Sequence, residues 1–142
     1  MISTRGRYAL RMMLDLAQHQ GEGVTALKDI AARQDISKKY LEQIIPKLHQ
    51  AGLLQTTRGV RGGYRLTREP KDYTLGEILR TTETGLAAVA CMDEDAPQCP
   101  RARECLTRPV WEELDRVVGA FLDGVTLEDV LEGKVPGGRV DS

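Results

Sequence analysis

The sequence predicts a mainly α-helical chain with one small β-hairpin, and three observations carry that prediction. Apolar residues recur at three- and four-residue intervals through most of the 142 positions. The stretch from 54 to 67 breaks that pattern, with two short runs of strand character around Gly59, Gly62 and Gly63. Cap and stop residues fall where the helical runs begin and end. With 4% aromatic residues, the core must be built mostly from Leu, Ile, Val, Met and Ala.

Taken in order, the first helix spans residues 4–18, its buried stripe formed by Tyr8, Ala9, Met12, Met13, Leu16 and Ala17, and His19, Gln20 and Gly21 end it. Thr25 is the expected N-cap of a second helix running to residue 34, with Leu27, Ile30 and Ala31 inward. After a turn at Asp35 and Ile36, Ser37 caps a third helix that buries Tyr40, Leu41, Ile44, Ile45 and Leu48, stops at Gly52 and is kinked by Pro46. Strands are expected at 54–57 and 64–67, and Thr74 caps a fourth helix over 75–82 that packs Leu75, Ile78 and Leu79 beneath the first three. Thr107 and Pro109 open a long helix to residue 123, and a short helix at 126–131 precedes the tail VPGGRVDS.

Two short helices joined by a tight turn, the second presenting Lys38, Lys39, Glu42 and Gln43 away from its apolar stripe, form a helix-turn-helix. The hairpin that follows carries Arg58 and Arg61 at its tip, where an arginine can enter a narrow minor groove. Helix-turn-helix plus hairpin is a winged helix, and the surface it implies reads double-stranded DNA. Charge agrees. The net charge is −1, but residues 1–80 hold fourteen Lys and Arg against eight Asp and Glu, and residues 81–142 hold six against thirteen. A basic front half attracts phosphates and an acidic back half is repelled from them. Glu42, an acid among phosphates, is suited to accept from a cytosine amino group and so to select sequence. RGVRGG lacks the GxxxxGK[ST] pattern of a nucleotide-binding loop.

All three cysteines, Cys91, Cys99 and Cys105, fall within fifteen residues ahead of the long helix. Three thiolates that converge form a soft ligand set for zinc or an iron-sulfur cluster, and spacing alone does not choose between them. An odd cysteine count argues against a disulfide framework. A redox or zinc enzyme is disfavoured, because there is no CxxC and no histidine beyond His49. No apolar run of about 18 residues occurs, so neither signal peptide nor membrane span is expected and the protein is read as cytoplasmic. The long helix presents Val110, Leu114, Val117, Phe121 and Leu122 as one stripe, widened by Trp111 and Val118. That face is too broad for a lone surface helix, so pairing with its counterpart across a two-fold axis is expected, with Gly119 allowing close approach. The expected organisation is a DNA-binding domain at 1–83, a cysteine loop at 84–106, a dimerisation helix with a short terminal helix at 107–132, and a flexible tail at 133–142.

The segments STRGRYALRMMLDLA, ISKKYLEQIIPKLHQAGLL and RGVRGGY, and the three cysteines followed by LTRPVW, resemble the bacterial winged-helix regulators typified by the iron-sulfur cluster regulator IscR, over residues 2 to 132. The resemblance implies a cytoplasmic homodimeric transcription factor on a pseudo-palindromic operator, with cluster state altering promoter binding. It implies a recognition helix contributing Ser37, Lys38, Lys39, Tyr40, Glu42 and Gln43, a wing contributing Arg58, Gly59, Arg61, Gly62 and Gly63, and contacts from Arg5 and Tyr8. It also implies that Cys91, Cys99 and Cys105 ligate a 2Fe-2S or 4Fe-4S cluster. IscR-type members place a histidine three residues after the last cysteine, and Arg108 stands there in this chain. A guanidinium has no lone pair for a metal. The long first cysteine gap is closer to that of the iron-responsive regulator RirA. The fourth ligand is left among Glu104, Asp93, Asp95, a residue of the second subunit's first helix, and an exchangeable solvent or thiol. The alternative is a cysteine-metabolism repressor of the CymR branch, which acts without a cluster.

Overall fold

The computed structural model describes residues 2–83 and 106–135. The expected cysteine loop, with Cys91, Cys99 and Cys105, lies outside the described residues, as does most of the expected tail. The elements run α1 (Thr4–Gln18), a 3₁₀ turn (Gln20–Glu22), α2 (Leu27–Gln34), α3 (Lys38–Gln50), β1 (Leu54–Thr57), β2 (Gly63–Leu66), a second 3₁₀ turn (Pro70–Asp72), α4 (Leu75–Thr82), α5 (Arg108–Asp123) and α6 (Leu127–Leu131). No helix among the described residues is long and apolar enough to cross a membrane.

The expected helical spacing builds one core. Ala9, Met12, Met13 and Leu16 of α1, Ile30 of α2, Leu41, Ile44, Ile45 and Leu48 of α3, and Ile78 of α4 are buried against one another, with Leu53, Tyr73 and Leu127 closing the ends. Unbranched methionines fill the centre of a core that contains few aromatic rings. Ser37 accepts the Tyr40 N–H at 3.1 Å and Thr74 accepts the Glu77 N–H at 3.1 Å, so both expected caps satisfy amides their helices leave open. Pro46 lies within α3, which runs through to Gln50; the residue lacks the N–H that the Glu42 carbonyl would otherwise accept.

Thr25 departs from its expected role. The N-cap of α2 is Ala26, and Thr25 instead bridges Tyr64 of the hairpin, its N–H donating to the Tyr64 carbonyl at 2.8 Å and its carbonyl accepting from the Tyr64 N–H at 2.9 Å. Backbone pairing with a distant strand outweighs a local side-chain cap. The second strand begins one residue early, at Gly63, because Gly63 pairs with Thr57.

Two polar networks hold the core elements in place. Asp15, only 1% exposed, accepts from Arg33 Nη2 at 2.7 Å, Arg33 Nε at 3.0 Å and Gln34 Nε2 at 3.0 Å, joining α1 to α2. Burial by itself would raise the Asp15 carboxyl, but those hydrogen bonds and the Arg33 charge outweigh it and hold the group below its ordinary range. The buried Tyr73 hydroxyl donates to the Leu53 carbonyl at 2.9 Å and accepts the Thr67 and Arg68 amides at 2.9 and 3.1 Å, fastening both legs of the hairpin to the body. Arg68 stacks over the Tyr73 ring at 5.2 Å and pairs with Glu77 of α4 at 2.8 Å. The Thr74–Thr126 bridge joins the N-caps of α4 and α6, α6 packs against α1 and the second 3₁₀ turn, and Thr126 and Asp129 form a reciprocal capping box.

Candidate nucleic-acid interface

The face of α3 opposite its core stripe is polar and open. Lys38, Lys39, Glu42 and Gln43 are exposed, and Ser37, also exposed, keeps its hydroxyl proton while its oxygen caps the helix. Tyr40 is half-buried, its ring edge-on to Tyr8 with centroids 5.2 Å apart, so these two residues join the start of α3 to α1. Arg11 lies over the Tyr8 ring at 5.3 Å and donates to the side chain and backbone carbonyl of Gln34. Arg5 is exposed in the first turn of α1. The carboxylate of Glu83 accepts the Ser3 N–H at 2.6 Å ahead of that turn, and a side chain at Gly6 would collide with it.

The wing follows from its glycines. Gly59 has φ of 113°, a conformation that L side chains rarely adopt, and its carbonyl accepts the Gly62 N–H at 2.9 Å. A Cβ on Gly62 would strike the Thr57 carbonyl and one on Gly63 the Thr25 carbonyl, so both close approaches need glycine. Arg58, Val60 and Arg61 are exposed around this turn. Ion pairs among the described residues take up Arg33, Arg68, Lys71, Arg80, Arg108, Arg116 and Lys134 but leave Lys38, Lys39, Arg58 and Arg61 unneutralised. Positive charge outside those ion pairs therefore lies on α3 and the wing, and also at Arg5, Arg7 and Arg11 of α1 and Lys28 of α2.

Between the second half of α3 and the hairpin runs an open cleft of about 360 Å³, lined by Ile45, Pro46, His49, Thr56, Arg58 and Tyr64. Pro46, His49 and Thr56 were absent from the sequence-derived face, although the helical spacing that placed Gln43 continues to residues 46 and 49.

α5 has the opposite character. Val110, Leu114, Val117 and Phe121 are 57%, 40%, 48% and 45% exposed, while Trp111 and Val118 are partly covered. Leu122, placed on the same stripe by its spacing, is buried within its own chain, beside Val125 and Leu127 in the sequence and buried like them. Arg80 of α4 pairs with Asp123 of α5, with Nη2 to Oδ2 at 3.1 Å; a side chain at Gly76 would collide with Asp123. Arg108, the first residue of α5, donates to Glu112 at 2.8 Å, so a charged pair stands three residues after Cys105. No group of three or more metal-ligating side chains occurs among the described residues.

The model of the Rrf2 family, described as an iron-dependent transcriptional regulator, matches residues 2–133. The chain belongs to the Rrf2 family of transcriptional regulators. It is 42% identical over 130 residues to the protein rrf2 of Nitratidesulfovibrio vulgaris, covering 92% of this chain and 86% of that one. Two solved structures share its fold. The CymR global cysteine regulator of B. subtilis is 39% identical with a TM-score of 0.76, covering 94% of this chain and 97% of that one. IscR of T. potens is 38% identical with a TM-score of 0.75, covering 100% of this chain and 93% of that one. Membership makes the chain a transcriptional regulator and not an enzyme, and assigns the α3 and wing architecture to a DNA-binding family. The fold class expected from the sequence is that of these Rrf2 relatives.

Proposed function

We propose that this Rrf2 regulator is a homodimer that binds a pseudo-palindromic operator and senses iron, redox or cluster status through an iron-sulfur cluster held by Cys91, Cys99 and Cys105. One observation carries the reading: three thiols lie within fifteen residues immediately ahead of α5, in a chain whose family is described as iron-dependent. The donor set fits the group, since thiolates are the ordinary ligands of such clusters. Arg108 is excluded as the fourth ligand by its chemistry and by its pairing with Glu112, which leaves Glu104, Asp93, Asp95, the second subunit's first helix or an exchangeable donor. When bound, the cluster supplies a centre whose stability depends on iron supply and oxidants.

The chain's own residues supply the rest. Ser37, Lys38, Lys39, Glu42 and Gln43 enter a major groove, with Tyr8 and Tyr40 setting the angle of α3 against α1 and Arg5 reaching a phosphate. The glycine-built wing brings Arg58 and Arg61 to the duplex. The exposed stripe of α5 pairs with its copy, fixing the distance between two recognition helices. The cysteine segment is joined at one end to α4, whose following residue Glu83 holds the start of α1, and at the other to α5, which Arg80 and Asp123 tie to α4. A change in that segment therefore acts on the start of α1, which carries Arg5 and Tyr8, and on the pairing helix together. A tenfold change in operator affinity needs about 1.4 kcal/mol of differential binding.

Likeness to CymR at a TM-score of 0.76 favours a second reading, a cysteine-metabolism repressor without a cluster. Anaerobic purification with iron and sulfide analysis and a visible spectrum separates the two. The cluster reading expects a brown protein with both elements, and loss of both with altered promoter binding when the three cysteines become serine. A colourless, iron-free protein whose promoter binding is indifferent to those substitutions overturns it.

A further inference from the structure

The tip of the wing is occupied by an apolar side chain. The Gly59 carbonyl accepts the Gly62 N–H at 2.9 Å, closing a β-turn that has Val60 and Arg61 at its two corners. No other large apolar side chain among the described residues is as exposed as Val60. Arg58 lines clefts on both sides of the hairpin, one toward α3 and one toward Leu27 of α2, and Val60 lines neither of them. The chain's own fold thus gives Val60 no packing, and a polar turn former such as Asn, Asp or Ser would fit that corner as well. Charge indicates what the tip meets. Residues 43–68 contain no Asp or Glu, and Arg58 and Arg61 flank Val60. An apolar point between two cations suits a polyanion whose surface carries an uncharged floor between its phosphates.

The minor groove of DNA has such a floor. Every base pair presents acceptors there, and the pairs differ in the guanine 2-amino group, a donor that A·T pairs lack. An isopropyl group pressed to the floor covers the acceptors of both pairs alike, so that loss cancels when the pairs are compared. Over G·C it also covers the amino donor and offers no acceptor in exchange. We propose that Val60 is a specificity-determining residue of the wing: its methyl groups touch the minor-groove floor and select against the guanine 2-amino group, so the wing favours A·T over G·C pairs. The flanking arginines supply attraction, and Val60 supplies choice. The turn suits that division, because Gly59, with φ of 113°, and Gly62, which has no room for a Cβ, fix the corner on which Val60 stands.

This inference rests on the assignment of the wing to the duplex, and its test separates the two. The probes are fluorescent alternating duplexes of about 30 base pairs, one of inosine and cytosine and one of guanine and cytosine, read by anisotropy at about 100 mM salt. Inosine lacks only the 2-amino group, so α3 meets identical major-groove edges in both. The wild type is expected to bind the inosine duplex about fivefold tighter, as one covered donor requires. Val60→Thr replaces a methyl by a hydroxyl of the same size that can accept from the amino group. It is expected to bring the ratio close to one by gaining on the guanine duplex. Arg61→Ala is expected to weaken both duplexes and keep the ratio. A wild-type ratio near one, or a ratio that survives Val60→Thr, overturns the role of Val60. Loss of the ratio in Arg61→Ala with its retention in Val60→Thr assigns the preference to an arginine sensing groove width, and overturns it too. If neither duplex binds, or if Arg58→Ala with Arg61→Ala binds both like the wild type, the wing is not on the duplex and the assignment beneath the proposal fails as well.

Discussion

Helices α3 and α5 are both strongly amphipathic, yet they bury opposite fractions of their apolar faces. α3 sends Leu41, Ile44, Ile45 and Leu48 into the core and turns lysines, Glu42 and Gln43 outward. α5 keeps Val110, Leu114, Val117 and Phe121 at the surface and commits Leu122 to its own chain. The first helix is completed by the monomer, so its exposed face is free to read something polar. The second keeps its apolar stripe at the surface among the described residues, which is the face the proposed homodimer would cover.

The comparison breaks most sharply in the core of the first region. Leu41→Ala is expected to cost about 2–5 kcal/mol in denaturant unfolding, by lost burial and the cavity left behind. Asp15→Asn should cost about 1–3 kcal/mol, since it removes the buried charge on which Arg33 and Gln34 converge while the part-exposed Arg33 stays solvated. The pH dependence has a fixed sign. The Asp15 carboxyl is held below its ordinary range, so its contribution is present above the unfolded carboxylate range and disappears as pH falls through the lowered folded value. Wild-type stability should therefore fall on acidification more steeply than that of Asp15→Asn. Tyr73→Phe removes the partner of the buried Leu53 carbonyl and of two half-buried amides and should cost about 1–3 kcal/mol, with faster amide exchange at Thr67 and Arg68 as its local signature. Val117→Ser is expected to change monomer stability by less than about 0.5 kcal/mol, because its side chain is already at the surface. It should nevertheless move sedimentation toward the monomer, and equal sedimentation of variant and wild type would erase the contrast between the two helices.

What was legible in the sequence is what repeats locally. Spacing alone placed α1, α3, α4 and α5, and Ser37 and Thr74 cap the helices they were expected to cap. Long-range pairs left no such signature. Nothing periodic links Asp15 to Arg33, or Tyr73 to Leu53, and Thr25 read as a cap because its pairing with Tyr64 is invisible from its neighbours. Leu122 shared the spacing of the α5 stripe but faces inward because the chain turns at Gly124, bringing the buried Val125 and Leu127 to the same side. Of the candidate site, the reading residues on α3 were named from polarity up to Gln43, whereas the cleft needed the third dimension: Thr56 and His49 become neighbours only when the hairpin folds back on the helix.

The bridge between Thr25 and Tyr64 has a mechanical consequence. It ties the two-stranded hairpin to the residue that leads directly into α2, and Gly63 allows the backbones that proximity. Bending the hairpin would break paired amides and drag the helix-turn-helix with it. The front of the molecule is thus tied into one plate, and in the proposed homodimer a signal that alters promoter choice would tilt or translate that plate as a whole instead of flexing its edge.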